Sequence, residues 1–330
     1  MRAVPSELRH RPFTREEARA HGVTDRMLQG RRFVRLHHGV WGCRDDELGW
    51  DGRLQAATLA LPVHAHPTGL TRIRMLGLDE GPAYPLRFVV EGDLHLDLED
   101  VFLHRTRRLA PLDGVGVTPA AAFLAYCARA RTVDAVRVGD WLLHHGHASA
   151  GEIRDLALSA LWRDGADEAL CVVPLLDARC RSLPESEVRV VLSLAGLPAA
   201  DPNRPIELEQ GITAIGDLVY REHRLVVEYE GGHHQEDRGQ YVGDIDRYEL
   251  FRTHGVDYVQ VTRERLRQPR VLVGTVHRRL VALGYDGPAP VLGPGWLALW
   301  QPLHALLGSR AERLRRRERW LANPSQIRFG

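Results

Sequence analysis

Apolar positions between Ser182 and Tyr285 follow two different periods, and the order of these periods predicts a small sheet between helices. Positions that repeat every three or four residues predict helices at SLPESEVRVVLSLAG, QYVGDIDRYELFRTHG and PRVLVGTVHRRLVALG. Short apolar or alternating runs predict strands near IELE, ITAIGDLVY, RLVVEYEG and VDYVQVT. The predicted order is α, β, β, β, α, β, α, which can form a mixed sheet with helices on both faces.

The segment from Phe13 to Gly42 predicts a helix, a turn, a second helix and a hairpin wing. Thr14 followed by Glu17 is the capping-box pattern, Thr24 can cap the second helix, and RRFVRLHHGVWG alternates as a hairpin does. Arginines cluster around the second helix and the wing, where a winged-helix module would meet DNA phosphates: Arg26, Arg31, Arg32 and Arg35. The alternative is a small structural domain with a solvated basic rim.

The remaining segments complete a predicted multidomain α+β and α/β architecture. We expect a winged-helix domain at 1–45, an α+β middle domain at 46–175, a mixed-sheet domain at 176–285 and a helical basic tail at 286–330. In the middle domain the HHGH stretch could bind a metal, although a solvated helix end favours the same histidines. In the tail, Trp296, Leu299, Trp300 and Leu303 form an apolar face that we expect to pack, and the run SRAERLRRRERW is either a solvated helix or a lining for DNA.

Three carboxylates of the predicted sheet converge. Glu228 and Glu230 share one face of their strand, and a hairpin turn lets Asp217 face them. At about 6 Å and an effective dielectric of roughly 20, each pair would repel by about 3 kcal/mol. Such a cluster needs a proton, an arginine or a cation, and carboxylate oxygens without cysteine suit Mg²⁺ or Mn²⁺. We therefore expect a metal site at Asp217, Glu228 and Glu230.

Other polar residues could serve this site. His234 could orient or deprotonate a metal-bound water, or it could be a polar residue at a strand end. Glu185 and Arg189 share a helix face, which favours an ion pair, although Glu185 could instead reach the site as a further ligand. Arg247 could meet a phosphate or a carboxylate of the site, or it could lie on the surface.

Composition narrows the chemistry. All 44 basic residues are arginine, which excludes P-loop and Schiff-base chemistry because both need lysine. The net charge is +1, so nucleic-acid binding would depend on local basic patches. The four cysteines are scattered, which argues against a zinc ribbon and fits small core residues. The start of the chain has no apolar signal region and no apolar run could span a bilayer, so we expect a cytoplasmic protein without a membrane partner.

Residues 182–285 resemble the very short patch repair-like (Vsr-like) endonuclease domains of the PD-(D/E)XK superfamily, which have a restriction-endonuclease-like fold. The similar motifs follow in the family's order: Glu185, GDLVY with Asp217, VEYEGGHH with Glu228, Glu230 and His234, DIDRYELFRTHG with Asp244 and Arg247, and VQVT. The superfamily lysine is absent, with Glu230 in its position, and Gln260 stands where these domains often have arginine. The resemblance implies Mg²⁺-dependent hydrolysis of a DNA phosphodiester.

Residues 13–42 resemble the N-terminal winged helix of the abortive-infection (AbiEi-like) type IV antitoxins, whose wing ends in a motif similar to HHGVW. This resemblance implies DNA binding and a possible toxin or phage-defence partner. We therefore expect a DNA endonuclease. The alternative is a DNA-binding regulator of the antitoxin type, whose nuclease fold is catalytically inactive.

Overall fold

A computed structural model describes residues 4–208, 213–230 and 250–329. Over these ranges the protein is a mixture of helices and small sheets, two of three strands and one of four. The chain divides into two compact units, Met1–Ala122 and Phe123–Gly330. The boundary falls inside the predicted middle domain, and the four-domain division stays a prediction.

The first unit begins with two short helices and a hairpin, in the order that the sequence predicts. The Thr14 capping box is formed, and the Thr24 side chain accepts the N–H of Met27. The strands pair in the order β1-β3-β2 around a small core that includes Phe13 and Phe33. The elements are β1 Phe13–Thr14, α1 Arg15–Ala20, α2 Asp25–Leu28, β2 Phe33–His37 and β3 Val40–Cys43.

The rest of the first unit is a second three-stranded sheet with helices. The strand order is β4-β5-β6, with β5 antiparallel to β4 and parallel to β6. Buried Arg72 donates to Asp113 at 2.6 Å and to the Val117 carbonyl at 3.2 Å, which ties α4 to the loop after β6. The elements are α3 Trp50–Ala60, β4 Ala65–Pro67, α4 Gly69–Arg74, β5 Leu86–Glu91 and β6 Val101–Thr106.

Helices build the first part of the second unit. Gly165 has a φ of 84° just before α8, and a Cβ at this position would collide with the Leu124 carbonyl, so only glycine fits this close approach. The helices are α5 Pro119–Cys127, which begins in the first unit, α6 Thr132–His144, α7 Ala150–Ser159, α8 Ala166–Val172 and α9 Leu183–Leu194.

A four-stranded mixed sheet follows α9. Its order is β10-β9-β8-β7, with β9 antiparallel to β8 and parallel to β10. Within the described residues the elements follow the predicted order. The predicted helix before β10 lies mostly outside these residues, so this helix stays a prediction. The elements are β7 Asp201–Glu207, β8 Thr213–Tyr220, β9 Leu225–Glu230, β10 Asp257–Thr262, α10 Arg263–Leu266 and α11 Pro269–Ala282.

The chain ends in helices that pack on the second unit, as the sequence predicts. The elements are α12 Pro294–Leu297, α13 Leu303–Leu306 and α14 Arg310–Ala322. The Trp296 indole donates to the Val191 carbonyl of α9 at 3.0 Å, and Leu299 and Leu303 are fully buried. On α14, Arg317 makes a bidentate ion pair with Asp167 of α8.

Two simple expectations can be compared with the structure. All four cysteines are buried, as predicted for small core residues, and burial raises the pKa of Cys43 to about 11 and that of Cys180 to about 12. In the part of the chain that the structure describes, none of the helices has the length and apolar character needed to span a bilayer.

A buried ion pair joins α6 to α9. The Arg189 guanidinium donates to Asp140 at 2.8 Å and to the Leu175 carbonyl at 2.6 Å. The other carboxylate oxygen of Asp140 accepts the Asp177 N–H at 2.7 Å. Burial raises the pKa of Asp140, whereas Arg189 and the Asp177 N–H favour its ionised form. The predicted pair between Glu185 and Arg189 is wrong, because Arg189 turns to this more distant acid.

Removing one member of the pair should therefore leave an uncompensated buried charge. We expect Arg189→Met to lower the free energy of unfolding by about 3–5 kcal/mol, measured by urea denaturation followed by circular dichroism. The matched control is Arg154→Met on α7, whose ion pair with Asp155 is exposed. The control should change stability by less than about 0.5 kcal/mol. Equal stabilities of the two variants would contradict the structural role of the buried pair.

Candidate functional site

The register of the four-stranded sheet places two of the predicted acids side by side. Leu218 pairs with Val227, so the preceding residue of β8, Asp217, lies beside Glu228 of β9. The Asp217 Oδ2 atom accepts the N–H of Tyr229 at 2.8 Å, which holds the carboxylate against β9. Asp217 therefore lies beside Glu228 as predicted, whereas the predicted convergence of both with Glu230 is not found, because these described acids form no group of three.

Glu228 and Glu230 differ in their surroundings, although alternation puts them on one face of β9 as predicted. Glu228 is 2% exposed and has Gln260 of β10 opposite it. Glu230 is the last residue of β9 and is exposed. An ionised carboxylate is costly to bury, so Glu228 is the member of the pair whose environment most requires a functional explanation.

Glu185 reaches the sheet from the first turn of α9. Its N–H is capped by Ser182 at 3.3 Å. Its Oε2 atom accepts the Arg181 N–H at 3.0 Å and the side-chain amide of Asn203 at 2.7 Å. Glu185 is 7% exposed, so it is a buried acid that contacts β7 through Asn203. It does not form the predicted ion pair with Arg189.

Asn203 is the residue that the sequence reasoning missed. It lies in β7 between two residue pairs, Pro202 with Leu218 and Arg204 with Gly216, which places it opposite Asp217. Its φ of 49° is in the left-handed region, which asparagine tolerates better than most residues. Its amide also donates to the Arg179 carbonyl at 2.8 Å. Asn203 therefore connects α9 to the part of the sheet that carries Asp217 and Glu228, here called the row of acids.

Strand β7, which carries Asn203, begins earlier than the strand predicted near IELE. It spans Asp201–Glu207 and includes Pro202 and Pro205. The strand lies at the edge of the sheet, where proline is tolerated because one side of the strand needs no ladder bonds. The position of the segment beside β8 is not visible in the local pattern.

The site offers carboxylate oxygens, which are the type of ligand that a hard divalent cation prefers. Asp217 and Glu228 are adjacent carboxylates, and one of them is buried. Over residues 4–208, 213–230 and 250–329, no group of three or more histidine, cysteine or acidic side chains is placed to hold a metal ion. The other predicted contributors, His234, Asp244 and Arg247, lie outside the described residues, so their predicted roles stay predictions.

The arginines predicted to bind DNA lie at the surface of the first unit. Arg26 and Arg31 are exposed, and Arg32 is half-buried. Arg35 is exposed and bonds the His37 carbonyl at 3.3 Å and the His38 ring at 2.8 Å, so it braces the hairpin as well. These arginines form an exposed basic rim. Both interpretations, a DNA-binding module and a structural domain with a solvated rim, agree with this geometry.

The histidines at the end of α6 form an aromatic group instead of a metal site. His145 stacks on His147 with ring centroids 6.0 Å apart and lies 4.5 Å from the Trp141 ring. His144 bonds the Ala178 carbonyl and His145 the Trp141 carbonyl, at 3.0 and 2.9 Å. Among the described residues these rings belong to no metal-binding group, which favours the helix-end interpretation.

Comparison with known proteins adds relatives without a known activity. The uncharacterised proteins Rv2248 and MT2308 of Mycobacterium tuberculosis are each 24% identical to this chain over 260 residues, which are 78% of this chain and 95% of each relative. No family model matches the chain. No solved structure matches it.

The role of Asn203 can be tested by two substitutions. We expect Asn203→Ala to lower the free energy of unfolding by about 2–4 kcal/mol, because it leaves Glu185 without this donor and places alanine in a left-handed conformation. Asn203→Gly loses the same hydrogen bonds without the conformational strain, so it should be less destabilising than alanine. Urea denaturation measures both. A glycine variant as stable as the wild type would show that the side-chain bonds contribute nothing.

Proposed function

We propose that this protein is a metal-dependent endonuclease that hydrolyses phosphodiester bonds of DNA. One observation supports the proposal most: Asp217 and buried Glu228 are neighbours in the sheet, and Asn203 links their row to Glu185 of α9. Two of the acids that the resemblance to Vsr-like domains implies, Asp217 and Glu228, are thus adjacent on separate strands. Buried acids at the meeting point of a helix and a sheet are a frequent setting for catalysis.

In this proposal Asp217 and Glu228 would hold Mg²⁺ or Mn²⁺. The ion would bind the scissile phosphate and lower the pKa of its water. The Tyr229 N–H fixes Asp217, so this carboxylate is oriented before any ligand arrives. Glu185 is oriented in the same way by Arg181 and Asn203. Glu230 lies at the exposed end of β9, where it could contribute through water, and His234 would orient the attacking water.

A plasmid-nicking assay tests the proposal. We expect the full-length protein to nick supercoiled plasmid with Mg²⁺ or Mn²⁺ and to be inactive with EDTA. Glu228→Gln keeps the size and shape of the side chain but removes its charge and replaces one acceptor oxygen with an NH2 group, so it should lower nicking at least about 100-fold, as should Asp217→Asn.

The matched control for this assay is Glu222→Gln, since Glu222 is an exposed glutamate in the turn between β8 and β9. The control should nick at the wild-type rate, and melting temperatures would verify that all variants are folded. Nicking that survives in Glu228→Gln would remove Glu228 from the site. Absence of nicking with every metal would remove the nuclease proposal.

A second candidate function is that of a DNA-binding regulator of the antitoxin type. It is favoured by the surface of the first unit, where Arg26 and Arg31 are exposed beside the short helices and the hairpin. The N-terminal resemblance would then supply a toxin or another phage-defence protein as the partner. This candidate requires salt-sensitive DNA binding without cleavage.

The contribution of this surface can be measured by charge removal. We expect Arg26→Gln combined with Arg31→Gln to weaken duplex binding and to reduce the slope of log K against log salt by about 2, because two phosphate contacts would be lost. The control combines Arg105→Gln with Arg107→Gln, two exposed arginines around the end of β6 with the same change in net charge. Fluorescence anisotropy at several salt concentrations gives both slopes. Equal slopes for the two variants would refute a specific role of Arg26 and Arg31.

A further inference from the structure

A short basic helix begins where the candidate site ends. Strand β10 runs parallel to β9, with Gln260 opposite Glu228 and Thr262 opposite Glu230. The Thr262 side chain accepts the Arg265 N–H at 3.3 Å and so caps α10. Neighbouring strands lie about 4.8 Å apart, and parallel strands end at the same edge. The first turn of α10 therefore lies beside the C-terminal end of β9, where Glu230 is the last residue and Glu228 lies two residues earlier.

The arginines of this turn point to solvent. Leu266 is buried and anchors the helix, whereas Arg263, Arg265 and Arg267, here called the α10 arginines, are exposed. Among the described residues the α10 arginines form no ion pair with a carboxylate, and Glu264 is the one acid between them. Arg265 donates to the Gln260 carbonyl at 3.3 Å, which keeps its side chain near the row of acids.

The second basic helix of the same unit uses its arginines differently. On α14, Arg317 pairs with Asp167 and Arg316 lies 3.3 Å from the Cys171 sulfur, so part of the charge run packs against α8. The exposed arginines of α14 are interspersed with Glu312 and Glu318. Part of the arginine run of α14 is thus structural, whereas among the described residues the α10 arginines make no ion pair and the Arg265 side chain bonds only the Gln260 backbone carbonyl.

We infer that the α10 arginines bind phosphates of duplex DNA and position the strand beside Asp217 and Glu228. The inference rests on the proposed function of that site, for which it names the surface that receives the substrate. Guanidinium groups bind phosphate oxygens in a bidentate manner, and Arg263 and Arg267, four residues apart, share a side of this turn from which they can contact phosphates of one strand. Such contacts carry no base information, so this surface would bind duplex DNA without sequence preference.

The experiment measures DNA binding separately from cleavage. The full-length protein with Glu228→Gln serves as the background, so that a duplex of arbitrary sequence stays intact during anisotropy titrations. In this background all three α10 arginines are changed to glutamine. The control changes Arg310, Arg315 and Arg319, the exposed arginines of α14, to glutamine and thus alters the net charge by the same amount. A third variant changes the α10 arginines to lysine and keeps the charge.

We expect the α10 glutamine variant to lose at least about tenfold in affinity at about 0.1 M salt. The slope of log K against log salt should fall by about 2–3, since each phosphate contact contributes about 0.9. The α14 control and the lysine variant should retain most of the affinity. Equal losses in the α10 and α14 variants would overturn the inference, because the effect would then be one of net charge. Unchanged binding by the α10 variant would overturn it as well.

The two proposals fail in distinguishable ways. Loss of binding in the α10 variant together with a wild-type protein that never nicks DNA would support the phosphate surface and refute the nuclease. Metal-dependent nicking by the wild-type protein, together with unchanged DNA binding by the α10 variant in the Glu228→Gln background, would support the nuclease and refute the surface. Circular dichroism and melting temperatures of all variants verify that the sheet has formed.

Discussion

The buried ion pair between Asp140 and Arg189 is the contact on which the arrangement of the second unit depends. It joins α6 to α9, and it also binds the Leu175 carbonyl and the Asp177 N–H, which lie in the segment before α9. Two helices and this segment are therefore held by one ion pair. Two buried charges are tolerated together because each compensates the other, and neither is tolerated alone. Arg189 lies one helical turn after Glu185, so the contact that fixes α9 also fixes where its acid points.

A chain of directional contacts carries this constraint from the helix into the sheet. Glu185 accepts from Asn203, which lies opposite Asp217, and Asp217 accepts from the Tyr229 backbone beside Glu228. The Asn203 amide and the Tyr229 N–H each donate to a carboxylate oxygen and fix its direction. Glu185 and Asp217 are thus oriented by neutral donors. This is the type of preorganisation that a functional site requires.

The sequence predicted the local features and missed the contacts made over long separations. Capping at Thr14 and the shared face of Glu228 and Glu230 depend on spacings of two or three residues, so they can be predicted from the pattern alone. The partner of Arg189 is 49 residues away in the chain, and the helical spacing to Glu185 suggested the wrong acid. Alternation likewise predicts the sheet face on which a side chain lies, but it does not predict how far the side chain is buried. It did not show that Glu228 is buried and Glu230 exposed, nor that the DPNRP segment is an edge strand.

In the proposed nuclease, acids and arginines near the ends of β9 and β10 would act on a phosphate backbone in complementary ways. Two carboxylates alone would repel a polyanion, and three exposed arginines alone would bind it without any chemistry. The parallel pairing of β9 and β10 places both kinds of charge at neighbouring strand ends, because Thr262 lies opposite Glu230 and α10 starts at the next residue. Attraction by the α10 arginines could then offset the repulsion from Asp217 and Glu228, and a divalent cation between acid and phosphate would reverse it locally. If the proposed function holds, the register of β9 and β10 is what places the DNA-attracting arginines close to the acids.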